Sequence, residues 1–199
     1  MYYEFRDRDS YYAEPGNIQE YPILPRKVSF ILGRRISAPL PTPLRFAMHP
    51  TWGRDLLLFL GSQVPVMRKD LIAALREVGV DNIDTYDAII YDPYNSRDVL
   101  DYQAVNIIGV VAAADLATSD YESFGETPNI DAIFAGPVID DRRTAGALMF
   151  RMKESVTTVM VHERVKQHVG PRFPSLLFIP AVNQGDDKGI DDEGEEEED

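Results

Sequence analysis

Apolar and polar positions alternate along the chain in two stretches that resemble each other. In VPVMRKDLIAALREVG the apolar residues Met67, Leu71, Ala74, Leu75 and Val78 recur at helical spacing, and Gly79 stands where a left-handed C-terminal cap belongs. A helix is expected there. TYDAIIYD, rich in β-formers, stops at Pro93, Asn95 and Ser96, which predicts a strand and a turn. Tyr102 to Val111 reads as the next strand; it is almost continuously apolar, so it should be covered on both faces. LMFRMKE, at Leu148 to Glu154, returns to strand-like alternation. TVMVHERVKQHVG then places Val161, Val165 and Val169 at helical spacing, closes on Gly170 and leads through Pro171 and Pro174 to the strand LLFIPA.

Both stretches run from a short β segment ending in Val-Met through an amphipathic helix and a closing glycine to a strand. The expected fold is therefore α+β, with mixed or antiparallel sheet elements and two amphipathic helices in comparable strand-helix-strand modules. Tyr2 to Arg6 could form a first strand. Prolines at 22, 25, 39, 41, 43 and 50 remove amide donors too often for regular elements, so this segment should be an ordered loop over the core, with a short helix or strand within Lys27 to Arg35. Ala114 to Gly136 is small, polar and acidic and reads as an exposed loop. Three regions result: 1–54, an N-terminal strand and Pro-rich segment packed on the body; 55–184, the α+β body; and 185–199, an acidic tail expected to be disordered.

Charge sharpens this division. The net charge is −13, and GDDKGIDDEGEEEED at the C-terminus accounts for −9 of it, with ten acids and one lysine. Within the body, residues 81–141 hold 13 acids and the single base Arg97 (−12), between flanks of +3 and +5. An acidic block disfavours direct contact with nucleic acid, whose affinity for proteins comes from phosphates neutralised by Lys and Arg. It favours a cationic partner protein. There is no cysteine, which excludes disulfides and thiolate metal sites. MYYEFRDRDS lacks the pattern of a secretory signal, and the longest apolar run, Val105 to Ala114, is about half of a bilayer crossing, so the cytoplasm is the expected location.

Candidate chemistry is sparse. His162 and His168, six apart on one helix, point in different directions, and His49 beside Pro50 reads as a packing residue. HExxH, GxSxG, GxxxxGK and GxGxxG are all missing. Carboxylates remain: Asp140 and Asp141, or Asp115 with Asp120 and Glu122, could serve acid/base or magnesium chemistry. Asn106, inside an apolar strand, must find partners for its amide, so it should bond backbone at the strand edge or pin the adjoining loop.

Tyr102, the run AVNIIG (Ala104 to Gly109), Asp115 and Ser119 resemble the signature of a family of bacterial polymorphic-toxin immunity proteins first described from myxobacteria and formerly a domain of unknown function. VPVMRKDLIAALREVGVDNI, YDAIIYDPY, LMFRMKE with TVMVHERV, and FIP are similar to that family in the same order, over most of residues 55–181. The resemblance implies a protein without catalytic residues or cofactors that binds a cognate toxin, often a nuclease and encoded by the adjacent gene. Tyr102, Asn106, Gly109 and Ser119 would be structural. The toxin-binding candidates are Asp115, Asp120, Tyr121, Glu122, Phe124, Glu126 and Asp131, because charge and aromatic anchors coincide on that segment. The alternatives are a metal-dependent enzyme using the loop carboxylates and a general acidic interaction protein.

Overall fold

A computed structural model of the protein describes residues 1–7, 18–51, 55–61, 63–123 and 131–183. Phe124, Glu126 and the acidic tail lie outside these residues. The strands are β1 (Tyr2–Asp7), β2 (Ile18–Glu20), β3 (Leu44–Met48), β4 (Phe59–Leu60), β5 (Val66–Arg68), β6 (Ile83–Asp92), β7 (Arg97–Val99), β8 (Tyr102–Ile107) and β9 (Val110–Val111). They continue with β10 (Asp120–Glu122), β11 (Ile133–Gly136), β12 (Val138–Ile139), β13 (Met149–Met152), β14 (Val159–His162), β15 (Leu176–Pro180) and β16 (Val182–Asn183). Among the described residues the α-helices are α1 (Lys69–Glu77) and α2 (Glu163–Val169), with a 3-10 turn at Asp141–Arg143.

The two sequence stretches become two modules of one kind. In the first, β5 and β6 are each antiparallel to β8, which lies between them, so they run parallel to one another with α1 as the crossover. In the second, β14 and β15 are each antiparallel to β1, again between them, with α2 as the crossover. Each is a split β-α-β unit. The middle strands come from opposite sides in sequence: β8 follows β6, whereas β1 precedes the whole second module. The first strand of each module is also preceded by an antiparallel neighbour, β4 beside β5 and β13 beside β14. These units extend to a seven-stranded sheet of order β2-β3-β6-β8-β5-β4, with β7 on β6, and a five-stranded sheet of order β15-β1-β14-β13-β9.

Both helices bury their apolar faces in one shared core. Leu71, Ile72 and Leu75 of α1 and Val165 and Val169 of α2 meet Val105 and Ile107 of the first sheet and Phe5, Met149 and Val161 of the second. Met67 and Val161 belong to the strands before the helices, so each helix starts later than its periodicity suggests. Gly79 closes α1 at φ +101, a conformation that costs glycine little. At the helix ends Glu77 accepts from Arg172 and contacts His168 Nε2 at 3.3 Å. The Arg172 hydrogen bond, and then that of His168, holds the Glu77 carboxyl below its ordinary range.

The outer faces of both sheets are also covered. Ile18, Phe30 and Leu57 pack with Leu44, Phe46, Ile90 and Ala104 over the first sheet, joined by half-buried Val28, Ile36 and Leu40 of the Pro-rich segment. This segment is an ordered covering layer, as expected, but Lys27 to Arg35 forms turns and bends in place of a helix or strand. Over the second sheet, Ala113, Ala114 and Ile139 pack on Tyr2, Phe150, Met152 and Met160. The stretch from Ala114 to Gly136 is therefore no simple exposed loop: its described part holds β10, β11 and the buried Ala114 and Ala132.

The strand expected from Tyr102 to Val111 is two strands in different sheets. β8 is buried on both faces, but Gly109 at φ +109 turns the chain so that β9 can pair with β13. The backbone crosses there at close quarters, with Gly109 N donating to Gly33 O at 2.9 Å. Gly33 is at φ +63, and a Cβ on it would stand 2.5 Å from Val110 Cγ2 and 3.0 Å from the Gly109 carbonyl carbon, so any other residue would be strained. Asn82 Nδ2 donates to Ile108 O (2.6 Å) and Met149 O (2.8 Å), bonding the crossover to the second sheet. Among the described residues no helix is long and apolar enough to cross a membrane.

Candidate partner-binding surface

The signature residues are framework. Tyr102 Oη donates to Leu57 O at 2.9 Å, and burial pushes its phenol up to about 12. Asn106 Nδ2 donates to Arg34 O at 2.8 Å, which pins the Pro-rich covering segment to β8, the second of the two expected roles, while its buried Oδ1 has no partner among the described residues. Asp115 Oδ1 accepts from Ala117 N (3.0 Å) while its carbonyl accepts from Ser119 N (2.9 Å), which closes a turn. Ser119 Oγ accepts from Val138 N at 2.9 Å. Asp115 and Ser119 thus build the base on which β10 and β11 stand.

These two strands form an antiparallel pair with distinct faces. Tyr121 lies opposite Phe134, their rings 5.7 Å apart, and Phe134 packs on the cluster covering the second sheet. Tyr121 is half-buried and holds the pair against the body. Asp120 and Glu122 point outward. Glu122 is paired with Ile133, which is 64% exposed, so a carboxylate and a bare aliphatic side chain share the outer face. Neither the Asp120 nor the Glu122 side chain has a hydrogen-bond or ion-pair partner among the described residues.

Asp131 bridges to Ser155 beside this pair and opens onto a groove of about 430 Å³. Ile133 and Phe134 form one wall, Thr157 and Thr158 the other, and Glu4 and Arg6 of β1 line it between. Glu4 and Arg6 form an ion pair at 3.6 Å. Thus Asp120, Glu122 and Asp131 border one surface, Tyr121 supports it, and Asp115 stands at its base.

The rest of the acidic block is dispersed. Asp84 is bonded to Arg35 at 2.8 Å on the other sheet. Asp92 accepts from Asn95 Nδ2 (2.7 Å) and Tyr94 N (3.0 Å), and the Asn95 bond first of all lowers its pKa. Asp140 accepts from Arg142 (2.9 Å) and pairs with Arg143 (3.3 Å), and its pKa is lowered chiefly by Arg142. Asp141 faces the N-terminal ammonium at 4.0 Å. These four acids carry local structural work, whereas the outer face of β10 and β11 combines exposed apolar surface with carboxylates that have no side-chain partner among the described residues. A second such combination, Asp98 opposite the exposed Tyr91 and close to the exposed Leu100, lies on β7 and β6.

The histidines are scattered. His162 Nδ1 accepts from Arg164 N as the cap of α2, His168 reaches Glu77, and His49 Nδ1 accepts from Thr51 N. Among the described residues no three His, Asp or Glu side chains converge in a way that could hold a metal ion. Ile133 is the surface residue that sequence reasoning passed over; its exposure follows from cross-strand register, which four residues of alternation do not reveal. No family model matches the chain, and no curated protein does.

Proposed function

We propose that the protein is an immunity protein, which binds one cognate toxin in the cytoplasm and neutralises it during competition between bacteria or among kin. It acts by occupancy, laying the outer face of β10 and β11 over a cationic surface of the toxin. The observation that carries this reading is Ile133, exposed and in register with Glu122 on a strand pair that Phe134 packs onto the body. An apolar anchor within unpaired carboxylates has the composition of an interface centre with a steering rim. The groove between Asp131 and Thr157 adds a concave feature that a protruding toxin side chain could enter. A nuclease fits best among toxin classes, because a surface that grips phosphates is cationic. The sequence resemblance to immunity proteins supports the same reading.

Coexpression with the toxin encoded by the neighbouring gene tests it. Cells should survive and the two proteins should copurify as one complex. Death of the cells, or weak salt-labile capture of many proteins in place of one complex, would overturn the proposal.

A further inference from the structure

The covering layer over the first sheet has the opposite charge character from the hairpin over the second. Residues 21–51 contain five bases and no acid, in a chain of net charge −13. Four of those bases, Arg26, Lys27, Arg34 and Arg35, frame a recess of about 260 Å³. Arg35 is bonded to Asp84. Among the described residues Arg26, Lys27 and Arg34 have no ion-pair or hydrogen-bond partner for their side chains, although carboxylates abound elsewhere in the chain.

The recess is held in shape. Phe30 is fully buried and meets the Tyr86 ring edge-on at 5.3 Å, Arg34 O accepts from Asn106, and Gly33 O accepts from Gly109 N. Lys27 sits at φ +69, a conformation that non-glycine residues adopt uncommonly and that is enriched at functional sites. Exposed cations gathered around one recess raise the local positive potential, which favours an anion there. Guanidinium forks match phosphate oxygens in geometry as well as charge. Leu32 and Ile36 give the recess an aliphatic side.

We propose that this recess binds a small ligand carrying two or more phosphate groups. At about 260 Å³ it lies just below the usual range of ligand pockets, so it would seat the phosphate groups of a small molecule, with the remainder of the ligand resting against its aliphatic rim. A long nucleic acid would also meet the net negative charge of the whole protein, which a compact ligand largely escapes. The proposal is independent of toxin binding, because the recess and the β10–β11 hairpin lie on the outer faces of different sheets.

Calorimetric titration of the full chain with pyrophosphate and with ADP tests it, at about 0.15 M salt so that diffuse attraction is screened. Saturable one-to-one binding is expected. Arg26→Gln/Lys27→Gln/Arg34→Gln should weaken it by at least about tenfold with an unchanged thermal melt, while Lys153→Gln should leave it as it is. Tighter binding of ADP than of pyrophosphate would assign the aliphatic side to a nucleoside, and equal binding would make the phosphates alone the ligand. The proposal is overturned if neither compound binds, if the triple variant binds as well as the wild type, if hexaglutamate competes as tightly as ADP, or if a single-stranded oligonucleotide binds more tightly than ADP.

Discussion

At the residue scale the fold depends on a few polar side chains placed where backbone groups lack a ladder partner. Asn82 satisfies two carbonyls, of Ile108 and Met149, where the chain leaves one sheet for the other. Asn82→Ala should cost about 2 kcal/mol, from two lost hydrogen bonds and carbonyls left without a donor, and lower Tm by roughly 4–8 °C. An unchanged melt would show that water replaces the amide at no cost. Arg151 is a second such case: it is buried, its Nη1 donates to Val156 O at 2.8 Å, and its Nε and Nη2 have no partner. Burial pulls its pKa down to about 10. Replacing it by methionine should be neutral or stabilising in a urea titration, whereas alanine should destabilise by about 2 kcal/mol or more, because only alanine leaves a cavity. Equal losses in both variants would mean that the guanidinium itself holds the β13–β14 turn. Asn106 could be foreseen, since an amide in an apolar strand must find partners. Asn82 and Arg151 could not: the partners of both are set by tertiary placement, and alternation does not separate a buried arginine from an exposed one.

At the element scale, long periodic segments announced themselves and short ones did not. Both helices, the strand within TYDAIIYD and the likeness of the two strand-helix-strand modules were legible because they rest on many residues each. Strands of two to four residues, such as β9 and β10, are too brief for any period to show. The origin of each middle strand was equally hidden, because pairing partners distant in sequence leave no local trace. The helices are tied by Glu77, with Arg172 and His168 as partners, and this tie has a pH signature. Its carboxyl is held below the ordinary range, so its contribution is present above the unfolded carboxylate pKa and is lost as pH falls through the folded one. The stability difference between wild type and Glu77→Gln, read from urea midpoints, should therefore be largest near neutrality and shrink below about pH 4. Asp92 and Asp140, also shifted down, keep part of the acid sensitivity in that variant. A difference that stays constant with pH would assign the Glu77 effect to packing.

Across the whole molecule, charge was legible as a total and illegible as a pattern in space. The acidic block of residues 81–141 is contiguous only along the chain; some of its carboxylates serve a β-turn, ion pairs with arginines and the N-terminal ammonium, others stand on the hairpin, and Asp81, Asp98 and Asp101 lie exposed elsewhere. The outer layers of the two sheets end up with opposite character, a cationic recess on one and unpaired carboxylates around Ile133 on the other. Of the binding residues named from the sequence, Asp120 and Glu122 fall on the outer face, Asp131 at its groove and Tyr121 beneath it, while Ile133 supplies the apolar element. Asp120→Lys/Glu122→Lys should leave stability within about 0.5 kcal/mol, since the charges are exposed and unpaired, yet slow association with a cationic partner and flatten its dependence on salt. Ile133→Ala should act mainly on dissociation, the usual effect of losing an interface anchor. The most direct measurement is the dissociation constant for the neighbouring-gene toxin, determined for the wild type and for Asp120→Lys/Glu122→Lys/Ile133→Asp with matched thermal melts. Tight one-to-one binding by the wild type, weakened by about a hundredfold or more in the triple variant, is the result predicted for a toxin gripped by this hairpin. Absence of binding by the wild type, or equal affinity in both proteins, would contradict it.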